Sequence, residues 1–462
     1  MSAVATSQPT ATDAGLRALR DGGNAVDAAL AAAAVLTVTE PMMTGPGGDV
    51  FAIVWTSDGR AEGLDAAGPA PAAAPADAPP AWDGSTSVTV PGAVAGWAAL
   101  AERHGRLGLD RALRDAIDHA EEGFELKPRC AHAWSGAARI PPGYAPAPRA
   151  GDEVRLAPLA ATLRAIADHG PDALYRGPIA EAIAASSWLE EADLAAYAPR
   201  WVEPLRGTYR NVEVLELPPP TQGIAALEGL ALLDGFEPTL AAQVACMRLA
   251  LQDALARVRD GADVRDLLDP AFLDGRRAEA TPSVTEPPGS TTYLCTLDDD
   301  GMAVSFIQSL FESFGSGLEA PGTGIVLQNR GAGFGISGAV EPGRRPYHTI
   351  IPGLLLRADG GLVGPFGVMG GFLQAQGHLQ FVSAVVDDGL DPQAALDRPR
   401  FRVEGDRVAL EPALADRAAE LPGAYVDDEV RGFGGGQAIL VDGDGTVTAG
   451  SDRRKDGYAA VA

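Results

Sequence analysis

The chain has 462 residues, 46% of them hydrophobic, which suffices for two or three ordinary domains or one large layered fold. Its 36 basic and 62 acidic residues leave a net charge of −26 and a pI near 4.5, which argues against nucleic acid or an anionic membrane as partner, because both reward a basic face. Only Lys127 and Lys455 are lysines; the arginine and alanine excess reads as coding bias and the acidity as a solvated, salt-tolerant surface.

From Thr12 to about Val38 the pattern is two helices broken at Asp21-Gly22-Gly23, with Asn24 as N-cap of the second and Pro41 ending it. The run "AALAAAAVLTV" at 28–38 is far shorter than the ~20 residues of a membrane span and reads as a buried helix. A Gly-rich turn and a hairpin follow, with strands near 49–56 and 61–66, then a Pro/Ala-rich loop at 69–82. "SVTVPGAVAGW" predicts a short strand before a helix starting near Gly92. Residues 110–270 read as mainly helical, interrupted by the strand-like "VEVLELPPP" at 212–220. Beyond 291 short strands dominate, at 291–297, 302–308, 353–357, 362–368, 407–410 and 436–441, with a helix around 374–388. Helices, a hairpin, more helices and a β-rich half predict an α+β layered fold whose two halves share a core.

Cys130, Cys246 and Cys295 lie far apart and form no C-x-x-C pair, so neither a disulfide framework nor a zinc site is expected and a reduced, cytoplasmic setting fits. The opening "MSAVATSQPTATDAG" has no basic or apolar signal region, so no secretion signal is expected. The six histidines show no metal-ligand spacing, and there is no P-loop and no G-x-S-x-G elbow; no metal and no cofactor is expected. "GFGGGQAILVDGDG" at 432–445 is not a dinucleotide loop, since a strand follows its glycines where a helix N-terminus would be needed. What remains is a set of Gly-rich turns beside strands, including "QNRGAGF" at 328–334 and "VMGG" at 368–371, whose adjacent N–H groups at Gly370 and Gly371 can converge on one developing negative oxygen. The other unusual stretch is "PPGSTTYLCTLDDDG" at 287–301, where a breaker is followed at once by Thr291 and Thr292.

Taken in order, "DGGNAVDAALAAAAVLTVTEPMMTGPGGDVFAIVW", "VPGAVAGW", "STTYLCTLDDDGMAVS", "FGSGLEAPGTGIVLQNRGAGF", "RRPYHTIIPGLLL", "GVMGGFLQAQGHLQ" and "DPQAALDRPRF" resemble the gamma-glutamyltranspeptidase family, from about residue 10 to the closing "GSDRRKDGYAAV". That family consists of N-terminal-nucleophile hydrolases, so the resemblance implies a four-layer αββα sandwich made as one chain that cleaves itself before a threonine. It makes Thr291 the nucleophile and Ser290-Thr291 the cleaved bond, giving a segment 1–290 and a segment 291–462 that form one interleaved domain and stay associated. The chemistry fits, because a free hydroxyl is weakly nucleophilic and a new α-amine beside it can take its proton near neutral pH. By the same resemblance Ser309 assists the nucleophile and Gly370 and Gly371 supply the oxyanion hole, while Thr292 is expected to pack or hydrogen-bond locally.

The γ-glutamyl clamp of the family is largely missing. Its carboxylate-binding Arg falls on Ala67, its amine-binding Asn, Gln and acid fall on Phe311, Arg330 and Gly333, and its paired serines fall on His348 and Thr349. The acylase-like relatives of the family are the better comparison. The resulting expectation is a small-molecule amide substrate, an acyl-enzyme resolved by water or an amine, and a site in which Arg330 and His348 receive an anionic acyl chain beside Phe311 and Thr349. Two alternatives stay open: a true gamma-glutamyltransferase with a rebuilt clamp, and a catalytically silent scaffold of the same fold.

Overall fold

The computed structural model describes residues 1–75, 78–279 and 289–462; Pro287 and Pro288 of the breaker before Thr291 lie outside the described residues. Two antiparallel sheets form the centre. The first has seven strands in the order Tyr458–Val461, Ala3–Thr6, Ser290–Leu297, Ala303–Phe311, Asp49–Trp55, Ala61–Ala66 and Arg200–Val202. The second has six, in the order Val447–Ser451, Gly435–Val441, Leu362–Met369, Gly353–Arg357, Val212–Glu216 and Leu205–Tyr209.

Alternation along the strands explains the layering. Tyr293, Cys295, Phe51, Ile53 and Ile307 of the first sheet pack against Leu215, Leu354, Leu356 and Ile439 of the second. Their neighbours Leu294, Val50, Ala52, Val304 and Phe306 point the other way, into a helical layer containing Ala25–Thr39 and Ala93–His104. On the far side Val214, Leu355, Phe366 and Ala438 meet Gly223–Leu233 and Leu373–Val386. Each central strand is thus buried on both faces, which is why it reads as an unbroken apolar run rather than as an alternating one. The fold is the αββα sandwich, and no helix among the described residues is long and apolar enough to cross a membrane.

The helix Ala25–Thr39 is buried along its whole length, as an all-round apolar helix must be. Its start is capped as its sequence predicts: Asn24 Oδ1 accepts from the backbone of Val26 and Asp27, and the Asp27 carboxylate accepts from Asn24 N. The strand expected before Gly92 is not formed. Ser85–Ser87 is a 3₁₀ turn, and the next backbone groups pair outside any ladder, with Val90 N donating to Pro69 O and Val88 O accepting from Trp188 Nε1. The strand read at 212–220 stops at Glu216, and the mainly helical stretch also holds Arg200–Val202 and Leu205–Tyr209.

Candidate active site

The strand Ser290–Leu297 sends Thr291 and Thr292 to opposite faces, as any strand does with neighbours. Thr292 is buried, and its Oγ1 donates at 2.9 Å to the Glu40 carboxylate. Thr291 is 3% exposed, and its Oγ1 accepts from Gln374 Nε2 at 3.3 Å, at the start of the helix Leu373–Val386. Gln374 is a contact that the sequence reading did not name. Its amide oxygen accepts from Ile351 N, which holds the side chain in place.

Ser309 lies on the adjacent strand, where the register shifts between Gln308 and Phe311. That bulge pairs Phe311 with Ser290 and leaves Phe311 at φ 81°, a left-handed backbone that costs a bulky residue of order 1–3 kcal/mol. It also aims the Ser309 hydroxyl at the chain opposite. Ser309 Oγ donates to Ser290 O at 2.8 Å while accepting from Phe311 N at 2.7 Å and Arg330 Nη2 at 3.1 Å.

Gly370 and Gly371 follow the strand Leu362–Met369 with φ of 131° and 63°, backbone that a side chain would strain. Among the described residues neither N–H has a hydrogen-bond partner, and Gly370 lines the same cleft as Thr291. Gly289 crosses directly above: a Cβ there would sit 3.0 Å from Gly371 Cα and 3.5 Å from the Phe311 ring.

Phe311, Arg330, His348 and Thr349 do come together, but none of them lines the cleft. Arg330 is fully buried, its guanidinium 4.4 Å over the Phe311 ring and bonded to Thr349 Oγ1 at 3.3 Å. His348 Nε2 meets Asp49 Oδ2 at 3.1 Å, and burial and then the Arg330 charge hold the imidazole well below its ordinary 6.5. A neutral, buried His348 is therefore no receptor for an anionic acyl chain in the uncut protein, and Arg330 is sealed from the cleft beneath Phe311. Burial pulls Arg330 itself down from 12.5 to about 9, against the charge of Asp49. Asp49 is pushed from 3.8 up to about 7 by burial, against the Arg330 charge and hydrogen bonds from Gln328, Gly68 and Gly92.

The cleft encloses about 390 Å³ and reaches from Gly289, Ser290 and Thr291 to Lys455. Its acids are occupied: Glu40 accepts from Thr292 and Gln8, Glu404 pairs with Arg402, Asp456 accepts from the backbone of Arg129 and Cys130, and Glu429 lies 4.0 Å from His132 Nε2. Burial and the nearby Glu40 carboxylate push the Cys130 thiol far up, so it is no rival nucleophile. Arg129 and Lys455 also line the cleft, and among the described residues neither side chain forms an ion pair.

The family model described as Gamma-glutamyltranspeptidase matches residues 11–462. The crystal structure of cephalosporin acylase from Bacillus halodurans superposes with a TM-score of 0.92 at 40% identity, over 99% of this chain and 95% of that one. The oxamate amidohydrolase proenzyme of Klebsiella pneumoniae subsp. pneumoniae is 33% identical over 97% of this chain and 96% of its own length. The acylase ACY 1 proenzyme of Pseudomonas sp. (strain SE83) is 31% identical over 98% of this chain and 92% of its own. The chain thus belongs to the gamma-glutamyltranspeptidase family, as an amide hydrolase or acyltransferase of its acylase-like kind.

Proposed function

We propose that the protein cuts itself between Ser290 and Thr291, and that the freed Thr291 then takes acyl groups from small amides and passes them to water or an amine. The observation that carries this reading is the setting of one bond: the Ser290 carbonyl is held by Ser309, with Thr291 Oγ1 next to it at the base of a cleft. Gly370 and Gly371 have N–H groups, unpaired among the described residues, of the kind an acyl-transfer oxyanion needs. After cleavage the Thr291 amine acts as the base for its own hydroxyl. The two segments stay together, because the first sheet interleaves strands from both sides of the cut. An intact-mass spectrum of purified protein should give two masses, for residues 1–290 and 291–462, whereas Thr291→Ala should give one. Wild-type protein that hydrolyses amides while still a single chain would overturn the reading.

The donor follows from charge. The family's carboxylate-binding position is Ala67, and the nearby Arg345 is engaged with Ala67 O at 2.7 Å and with Asp65, so it is not free to rebuild the clamp. Leaving the charges of a γ-glutamyl group buried and unpaired costs several kcal/mol. The unpaired cations Arg129 and Lys455 instead favour an acyl amide bearing one anionic group and no amine. Withdrawal of Gly289 and Ser290 after cleavage also uncovers Phe311, with Arg330, His348 and Thr349 behind it, as the apolar wall for that acyl chain. We expect kcat/KM for a glutaryl anilide to exceed that for the γ-glutamyl anilide by about tenfold or more; the reverse order would mean that a clamp exists elsewhere.

A further inference from the structure

Arg330 presents a physical problem. It is a fully buried cation, and among the described residues it forms no ion pair and its Nε has no hydrogen-bond partner. A buried charge without an ion-pair partner is costly. The hydrogen bonds around it say where that charge acts. A serine hydroxyl has one proton to give and two lone pairs to fill. At Ser309 both lone pairs are taken, by Phe311 N and Arg330 Nη2, so the proton has a single remaining direction, toward Ser290 O.

We infer that Arg330 is a positioning residue for self-cleavage: it locks the Ser309 hydroxyl with its proton on the carbonyl oxygen of the bond to be cut, and strengthens that donor with its charge. The inference rests on the self-cleavage proposed above. Thr291 Oγ attacks the Ser290 carbonyl carbon, forming a C–O bond and placing negative charge on Ser290 O, which Ser309 bonds and Arg330 faces from one hydrogen bond further back. The C–N bond then breaks, with the Oγ proton ending on the departing nitrogen, to leave an ester between Ser290 and Thr291. Water hydrolyses the ester to the Ser290 carboxylate and the free Thr291 hydroxyl. No free α-amine exists at Thr291 before the cut, so electrostatic help at the oxyanion is the assistance this geometry offers to the first turnover. The φ of 81° at Phe311 belongs to the same device, since the bulge is what brings Phe311 N onto Ser309 Oγ.

The test is the first-order rate at which full chain, made by cell-free synthesis and quenched in SDS at intervals, is converted to two fragments. Ser309→Ala should slow it by about 10²–10³-fold, the loss typical of one oxyanion donor. Arg330→Met should slow it by about 10²-fold and Arg330→Lys by less, with unfolding midpoints at or above wild type. Because Arg330 acts through Ser309, the double variant should be no slower than Ser309→Ala alone. Cleavage of Arg330→Met at the wild-type rate, or rate losses that multiply in the double variant, would overturn the inference while leaving the self-cleaving enzyme intact. Should the Met variant aggregate, the Lys variant and its double with Ser309→Ala carry the same comparison. Wild-type chain that never cleaves would remove the proposed function itself, a different result.

Discussion

Buried arginine charge in this protein is handled on opposite principles in two places. Near the C-terminus Arg400 and Arg454 share the carboxylates of Asp452 and Glu411: Arg400 Nη2 and Arg454 Nη1 bond Asp452 at 2.6 and 3.0 Å, and Arg454 also pairs with Glu411. Backbone carbonyls of Leu396, Arg398 and Phe433 take up further guanidinium protons. Beside the nucleophile strand, Arg330 has hydroxyls and an aromatic face but no ion pair among the described residues. Burial disfavours both charges, but carboxylates bonded to the guanidinium groups answer it in the first place and the charge of Asp49, without an ion pair, in the second. A neutralised cluster holds segments together; an under-neutralised one is a stored potential waiting for an anion.

The strongest way to break this contrast is to remove a partner from the first group. Asp452→Ala leaves Arg400 and Arg454 buried with less than their full complement of charge. It should lower unfolding free energy by about 3–5 kcal/mol, the usual result of orphaning one side of a buried pair. Arg330→Met should do the reverse, giving an unchanged or higher midpoint, because a desolvated cation without an ion pair is replaced by an apolar chain of similar size. Thermal melts of the two variants decide it. A large loss at Arg330→Met would mean that its contacts to Phe311, Ser309 and Thr349 are structural first.

Asp49 sharpens the contrast through pH. Its folded pKa is raised from 3.8 to about 7, so the folded protein holds a proton that the unfolded chain releases. The stability this contributes is fully present below pH 4 and is lost as pH rises toward 7, with a slope of up to about 1.4 kcal/mol per unit. Asp49→Asn keeps a hydrogen-bonding side chain without the titration, so the stability of wild type relative to the variant should fall steadily as pH rises over that window. In an Arg330→Met background the window should extend to higher pH, since the Arg330 charge is the largest influence holding Asp49 down. A difference that stays flat from pH 4 to 7 would show that Asp49 is already ionised in the fold at acid pH.

The sequence made much of this fold legible, for a local reason. The strands 353–357 and 407–410 lie where they were read, each bounded by turn residues that mark its ends. Ala3–Thr6 was missed because nothing within its four residues marks it; it is a strand only through partners at Leu297 and Val461, hundreds of residues away. The site divides in the same way. Thr291, Ser309, Gly370 and Gly371 stood out through motif order; in the structure Thr291 and Gly370 line one cleft, Ser309 bonds the Ser290 carbonyl, and Gly371 lies against Gly289. Arg330 looked like a substrate contact because its position in the motif was known but its depth was not. Its burial beneath Phe311 depends on a bulge, and a bulge is a register event between strands rather than a composition. Gln374 had no signal beyond its place three residues after Gly371.

The weakest effect separates surface from interior. A net charge of −26 repels itself across the molecule and opposes compactness, and at 0.1 M salt that repulsion is already screened beyond about 10 Å. Further NaCl shortens the range, so the unfolding midpoint should rise by a few degrees between low and molar salt. The buried groups lie outside the reach of that screening: Asp452 is 0% exposed at its side chain and Arg454 is 2% exposed. Asp452→Ala and Arg330→Met should therefore shift the whole salt curve without changing its slope. If the slope changed in either variant, salt would be reaching the interior charges, and the distinction between a sealed structural cluster and a sealed site cation would have to be abandoned. A midpoint that stayed level or fell with salt in all three proteins would instead place the acidic surface outside the stability balance, since the self-repulsion would then be too weak to oppose folding.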